Sequence, residues 1–168
     1  MSINTLLIKH SEISVYYLKE IASLKSMRWK YSLEEQLKWM ANNLEENDHH
    51  LLIYESKKLI AYANFVDITV IVDAKEVSFK GLGNVCTYES GNGYGDILMK
   101  NVNDNLLSNN WNGMLFCKEN LIYYYKKYGW ETLSEKIMIS DNLKNINVML
   151  LSYLDKINHT FYYNERNF

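Results

Sequence analysis

The stretch VCTYESGNGYGDILMKNVNDNLLS, residues 85–108, changes its pattern twice and decides the fold that we predict. Residues 85–87 end a run that is typical of a β-strand. Residues 88–95 contain three glycines, and from residue 96 onward apolar side chains recur at helical spacing. We therefore predict a strand, a glycine-rich loop and a helix in direct succession.

This loop has the features of a phosphate-binding site. The first turn of a helix leaves backbone N–H groups without intrahelical partners and carries the positive end of the helix dipole. Gly91, Gly93 and Gly95 would let a ligand approach that backbone closely, because glycine has no Cβ. No Gly-Lys-Ser/Thr sequence follows, so the loop is not a Walker loop, and an antiparallel meander before it argues against a dinucleotide fold. A simple turn between strand and helix stays the alternative.

Upstream of the loop, the pattern predicts one strand, two helices and three further strands. We expect strands at residues 4–9, 51–55, 59–72 and 76–87, and helices at 13–27 and from Ser32 to about residue 44. The short turns between the last three strands predict an antiparallel meander.

The start of the second helix has its own sequence signal. Ser32 and Glu35 form the pattern of a capping box, in which each side chain bonds the backbone N–H of the other residue. The apolar residues of this helix recur at helical spacing, and we expect them to face the core. These residues are Leu33, Leu37, Met40 and Leu44.

Downstream of the loop and its helix, we predict a strand at 114–117, an aromatic helix at 121–128 and strands at 135–139 and 147–153. Gly129 and Trp130 end the aromatic helix. The tail, residues 155–168, is polar and aromatic, and we expect it to pack on the domain or to contact a second copy in a homodimer.

Two motifs in this order resemble the GNAT superfamily of acetyl-CoA-dependent N-acetyltransferases. The acetyl-CoA motif of that family, Arg/Gln-x-x-Gly-x-Gly/Ala, corresponds to residues 90–95, with Gly93 and Gly95 matching and Ser90 in place of Arg or Gln. Its later motif, Phe-Tyr-x-x-x-Gly-Phe, is similar to YYKKYGW at residues 124–130. An Asn that the family often has seven residues before the second Tyr is Lys118 here.

The resemblance implies an α/β (α+β) fold with a central mixed, mostly antiparallel sheet of about six to seven strands and about four helices. It implies one domain over residues 1–168 and acetyl-CoA as the cosubstrate. The pantetheine arm would lie along Val85, Cys86 and Thr87. The pyrophosphate would bind the backbone amides of Ser90, Gly91, Asn92, Gly93, Tyr94 and Gly95.

The resemblance also implies a catalytic residue. Tyr125 would act as the general acid that protonates the departing thiolate, although the tyrosines around it could equally be ordinary aromatic packing. The strand before the loop has no carboxylate between residues 80 and 87, so we expect proton removal from the amine through water, which Asn84 could hold. Cys86 and Cys117 are less favoured as acyl-enzyme nucleophiles, because neither has a His nearby in sequence.

The composition excludes several other functions. The 168 residues carry 18 basic and 20 acidic side chains and a net charge of −2, which argues against a nucleic-acid-binding protein. The first residues lack a secretory signal and no apolar run is long enough for a membrane span, so we expect a cytoplasmic protein with two reduced, buried cysteines. No His or Cys has the spacing of metal ligands, and we expect no metal.

In proteins of this family the acceptor lies between the first two helices and the last strands. Here these are residues 27–31, Trp39 and a hairpin at 141–147. Trp29 and Tyr31 would form an aromatic wall or simply anchor the loop to the core. A cationic aminoglycoside acceptor would need acidic residues facing the cleft. Candidates are Glu45, Glu46 and Asp48, which otherwise form a solvated helix end.

The sequence therefore predicts an N-acetyltransferase that acts on the primary amine of a small molecule by direct attack in a ternary complex. One alternative is a protein or peptide N-acetyltransferase, which would have an open groove in place of a closed pocket. Another is an acyl-CoA-binding module without turnover, which the departures at Ser90 and Lys118 favour.

Overall fold

A computed structural model describes residues 2–133, 137–139, 146–152, 159–166 and 168. Within these residues the chain forms four α-helices and nine strands. The helices are α1 (Val15–Arg28), α2 (Leu33–Asn43), α3 (Tyr94–Ser108) and α4 (Ile122–Lys126), the last preceded by a 3₁₀ turn (Glu119–Leu121). The strands are β1 (Ile3–Lys9), β2 (His49–Glu55), β3 (Lys58–Val72), β4 (Lys75–Thr87), β5 (Asn112–Cys117), β6 (Glu131–Thr132), β7 (Ile137–Ile139), β8 (Asn147–Leu151) and β9 (Phe161–Tyr163).

The start of α2 is the predicted capping box. Glu35 N–H donates to Ser32 Oγ at 3.2 Å, and Ser32 N–H donates to a Glu35 carboxylate oxygen at 2.7 Å. The predicted inner face is only partly right. Met40 and Leu44 are buried, but Leu33 is 42% exposed, because residues 27–35 are all exposed and α2 reaches the core only beyond them.

The chain divides into two compact units, each with its own part of the sheet. The first comprises residues 1–66, 83–102 and 168. In it β1 pairs antiparallel with β2, from Ile3 opposite Glu55 to Lys9 opposite His49, and β2 pairs antiparallel with β3. The end of β4 follows β3 in the strand order. The largest buried side chains of this unit include Ile21, Met40, Leu51, Ile53, Tyr62, Phe65 and Leu98.

The second unit comprises residues 67–82 and 103–167. Here β4 pairs parallel with β5, from Phe79 opposite Asn112 to Leu82 opposite Leu115. β8 pairs antiparallel with β5 and with β6. β9 pairs antiparallel with the end of β3 and parallel with β7. Trp130, Phe161 and Tyr163 are almost fully buried in this unit.

The predicted class of fold, a mixed and mostly antiparallel sheet with four helices, is confirmed. The described residues contain more strands than the predicted six to seven, because β6 and β9 are too short to have a pattern of their own. β9 also shows that the described part of the tail packs, since Phe161 and Tyr163 are each only 2% exposed. Residues 141–145 of the hairpin expected at 141–147, and parts of the strands at 135–139 and 147–153 and of the tail at 155–168, lie outside the described residues.

Both cysteines are free and buried, as predicted. Among the described residues, no helix is long and apolar enough to span a membrane.

Candidate functional site

The glycine-rich loop leads directly into α3 in the first unit. The N–H groups of Asp96 and Ile97 donate to the Gly93 carbonyl, at 3.1 and 3.2 Å, so that Gly93 caps the start of the helix. Gly91 and Gly93 have φ angles of +89° and +74°, a region that side-chain-bearing residues rarely adopt. A Cβ at either position would have no atom within 4 Å. The glycines are therefore required by backbone conformation, and the space above them is open to a ligand.

Side chains of the first unit hold this loop in place. Asn92 Nδ2 donates to a Glu89 carboxylate oxygen at 3.0 Å, and Tyr94 donates its hydroxyl to Glu55 at 3.0 Å. Lys58 Nζ lies 3.0 Å from the centroid of the Tyr88 ring. These contacts support the loop from its two ends, and Glu89 places one negative charge beside it.

The strand before the loop is interrupted at Asn84, whose φ is +51°. Asn84 Nδ2 donates to Asn64 Oδ1 at 2.8 Å. Asn64 is fully buried, and its Nδ2 has no hydrogen-bond partner among the described residues. A Cβ at Gly83 would lie 2.6 Å from the carbonyl carbon of Phe168. Only glycine therefore allows the backbone of Phe168 to approach the strand at this point.

A cavity of about 520 Å³ lies within the first unit. Its lining residues come from α1, the connection to α2, α2 itself, the interruption in β4 and the last described residue. They are Lys25, Trp29, Tyr31, Glu35, Gln36, Trp39, Asn84 and Phe168. Trp29 is 37% exposed and Tyr31 60% exposed, so the two rings form a wall of the cavity and do not anchor the connection to the core.

Lys25 is the unexpected member of this cavity. It is only 2% exposed, and its Nζ lies 4.1 Å from the centroid of the Trp39 ring and 6.0 Å from that of Trp29. Burial lowers the pKa of Lys25 to about 8. Cation–π contacts of this kind compensate only partly for the lost hydration of an ammonium group.

The sequence around Lys25 contains a signal of this position. Ile21 and Lys25 are four residues apart and therefore lie on the same face of α1. A lysine on an apolar face indicates either a snorkelling side chain or a buried charge, and the nearly complete burial shows that it is the second.

The first unit also contains a hydrogen-bonded group of three side chains, of which His50 and Tyr62 are fully buried and His10 is half-buried. His10 and His50 are joined by a hydrogen bond of 2.9 Å, and His50 and Tyr62 by one of 2.8 Å. Burial lowers the pKa of His50 to about 3 and raises the pKa of the neighbouring Cys86 thiol to about 12. Cys86 therefore stays a protonated thiol near neutral pH, which argues against its use as a nucleophile.

The predicted pantetheine and pyrophosphate residues, 85–87 and 90–95, all lie in the first unit. Cys86 is buried, Val85 and Thr87 are half-buried, and residues 90–93 are exposed. Their position at the end of β4 and at the start of α3 agrees with the predicted elements.

Tyr125 lies in α4 of the second unit and is 7% exposed. Its ring meets those of Tyr124 and Trp130 edge-on, with centroids 5.1 and 6.5 Å away. Burial raises the pKa of Tyr125, so its hydroxyl keeps its proton at neutral pH and can donate it only to a stronger base. The hydroxyl of Tyr125 therefore stays protonated and can donate a hydrogen bond, while its ring is part of the packing.

The acidic residues suggested for a cationic acceptor do not line the cavity. Glu45 and Glu46 are exposed, as in the alternative of a solvated helix end. Asp48 is fully buried and accepts the N–H of Glu45 at 2.8 Å, so it closes the end of α2. The acidic side chain that does line the cavity is Glu35 of the capping box. Among the described residues, no group of three or more His, Cys, Asp or Glu side chains could hold a metal ion.

Comparison with known proteins identifies the fold. No family model and no curated protein matches this chain. Solved structures do match: ElaA of Escherichia coli is 19% identical, with a TM-score of 0.62 over 89% of this chain and 99% of that one. An acyl-CoA N-acyltransferase from Pseudomonas aeruginosa is 18% identical, with a TM-score of 0.64, and the match covers 90% of this chain and 100% of that one. A GNAT family acetyltransferase from Brucella melitensis, solved with acetyl-CoA, is 16% identical, with a TM-score of 0.58, and the match covers 92% of this chain and 91% of that one.

Proposed function

We propose that this chain, which has the fold of the GNAT acetyltransferases, transfers an acetyl group from acetyl-CoA to the primary amine of a small molecule. The observation that carries the proposal is the loop between β4 and α3. Its left-handed glycines and the first turn of α3 present backbone to open space, which is the arrangement that binds a pyrophosphate. Because this cradle consists of backbone groups, it does not depend on an Arg or Gln at Ser90.

The residues present fit acetyl-CoA, which supplies an activated thioester when bound. Residues 85–87 would hold its pantetheine arm, and residues 90–95 its pyrophosphate. The amine nitrogen attacks the thioester carbonyl carbon, a C–N bond forms, and the C–S bond breaks. Tyr125, as the proposed general acid, would donate a hydrogen bond to the departing sulfur and pass its proton to it as the C–S bond breaks, and the nitrogen would lose a proton to water. Tyr125 recovers its proton from solvent, so the reaction needs no metal and no acyl-enzyme.

The cavity of the first unit supports a small acceptor over a peptide. Its volume of about 520 Å³ lies within the range of small-molecule sites, and its walls are largely aromatic. Asn84 lines it and is directly followed by the proposed pantetheine residues. We assign this cavity to the acceptor.

The test has two steps on the full chain. Thermal unfolding with and without acetyl-CoA measures binding, and thiol release from acetyl-CoA in the presence of an amine panel measures transfer. We expect a higher unfolding temperature with acetyl-CoA and thiol release with at least one small amine. No shift with any acyl-CoA would overturn the proposal. A shift without thiol release across the panel, and with peptides, would leave the acyl-CoA-binding module as the function.

A further inference from the structure

The acceptor cavity contains one buried cation that lacks an anionic partner. Lys25 lines the cavity and is 2% exposed, yet no carboxylate among the described residues lies within ion-pair distance of its Nζ. Its contacts are the faces of Trp39 and Trp29. Charged groups that are buried in proteins are as a rule paired, because an isolated one costs several kcal/mol. An anion brought by a ligand would complete this site.

The neighbours of Lys25 do not replace such an anion. The pKa shifts of Cys86 and His50 leave both side chains neutral near pH 7. Glu35, which also lines the cavity, is exposed, and one of its carboxylate oxygens accepts the N–H of Ser32 at 2.7 Å. The capping box thus holds Glu35 at the exposed start of α2.

The side chains that line the cavity therefore carry a positive charge at a buried position and a negative charge at an exposed one. A polyamine would bring further positive charge toward Lys25, which is unfavourable in a low-dielectric site. A molecule that carries both an amine and an anion matches both signs. The rings of Trp29, Tyr31 and Trp39 offer flat apolar faces for the rest of such a molecule.

We propose that the acceptor is an amino acid or a similar small amine that also bears a carboxylate, and that Lys25 binds this carboxylate between Trp29 and Trp39. The proposal rests on the assignment of the cavity to the acceptor. It makes Lys25 a specificity-determining residue, and it predicts that amines without an anionic group, polyamines and aminoglycosides among them, are poor acceptors.

The test measures ligand binding without turnover. The quenching of tryptophan fluorescence is titrated with phenylalanine, leucine and methionine, each compared with its own carboxamide, which has the same skeleton and amine but no carboxylate. We expect the best-bound amino acid to bind about tenfold or more tightly than its amide, because a charge-assisted hydrogen bond to a carboxylate is lost. The variant K25M should reduce this ratio to about one, and K25R, which keeps the charge, should retain part of it.

Lys38 provides the matched control, because it is an exposed lysine of α2. K38M should leave the ratio between acid and amide unchanged. Equal affinities of acid and amide in the unaltered protein would overturn the proposal, as would the absence of saturable binding by all three pairs. A ratio that survives in K25M would overturn the role of Lys25. Each of these outcomes can occur while acetyl-CoA still binds and thiol is still released, so the proposed function is tested separately.

Discussion

Lys25 combines a charged group with nearly complete burial, and this combination costs stability. In the unfolded chain its pKa has the usual value of 10.5, and in the folded protein it is about 8. The folded protein thus releases the proton of Lys25 more readily than the unfolded chain does. The charged lysine therefore lowers the free energy of unfolding below pH 8, and this destabilisation diminishes as the pH rises from about 8 to 10.5. The groups that face Lys25 are neutral Cys86 and His50 and, across the cavity, Glu35.

We therefore expect K25M to be more stable than the unaltered protein near pH 7, by about 1–3 kcal/mol. The difference should shrink as the pH approaches 10, because the lysine is then largely neutral in the folded protein and begins to lose its proton in the unfolded chain as well. Urea unfolding at the two pH values measures this. K38M, at an exposed site, should change stability little at either pH. A K25M protein that is less stable near pH 7 would show that the cation–π contacts outweigh the loss of hydration.

The proposed role of Tyr125 as general acid depends on the proton of its hydroxyl group. The change Tyr125→Phe removes the hydroxyl and keeps the ring that packs against Tyr124 and Trp130. We expect turnover to fall by about a hundredfold, because positioned general acids contribute on that order, while acetyl-CoA affinity stays unchanged. Thiol release and calorimetry measure the two quantities. Tyr123→Phe is the control, because Tyr123 is 85% exposed. Equal turnover in Tyr125→Phe would remove Tyr125 from the mechanism.

At the scale of elements, the loop before α3 carries a negative charge where a pyrophosphate is proposed to bind. Glu89 is exposed, and its carboxylate accepts a hydrogen bond from Asn92. Glu89→Gln removes the charge and keeps an oxygen that can accept this bond. We expect acetyl-CoA to bind severalfold more tightly, with a difference that shrinks as salt is added.

Calorimetry at low and high salt measures the change. Glu119→Gln, in the 3₁₀ turn before α4, removes one charge elsewhere in the chain and should leave the affinity unchanged. Weaker binding in Glu89→Gln at low salt would contradict a pyrophosphate position at this loop.

Elements with a local signal could be predicted from the sequence, and elements without one could not. The capping box marks the start of α2 because both of its partners lie within one helical turn. β6 and β9 have two and three residues, and they exist because β8, β3 and β7 offer them backbone partners. No periodicity can develop over so short a distance, so neither strand was predicted.

At the scale of the whole molecule, the loop and the cavity differ in how far they could be predicted. The loop is continuous in sequence, and its glycines reveal both its conformation and its chemistry. The cavity combines α1, α2, Asn84 and Phe168, which lie far apart in sequence. The sequence indicated Trp29, Tyr31 and Trp39 as candidates, but the burial of Lys25 depends on contacts that only the folded chain makes.

The fold is shared with solved structures at 16–19% identity, so few side chains are held in common. A ligand site made of backbone N–H groups tolerates such divergence, because backbone geometry follows from the fold and from a few glycines. Side-chain sites such as Lys25 diverge instead.

The binding of acetyl-CoA to the loop at residues 85–95 is the claim on which the rest depends. Isothermal titration of the full chain with acetyl-CoA measures it most directly. We predict saturable binding at about one molecule per chain. The absence of saturable binding, for acetyl-CoA and for longer acyl-CoA molecules alike, would contradict the claim.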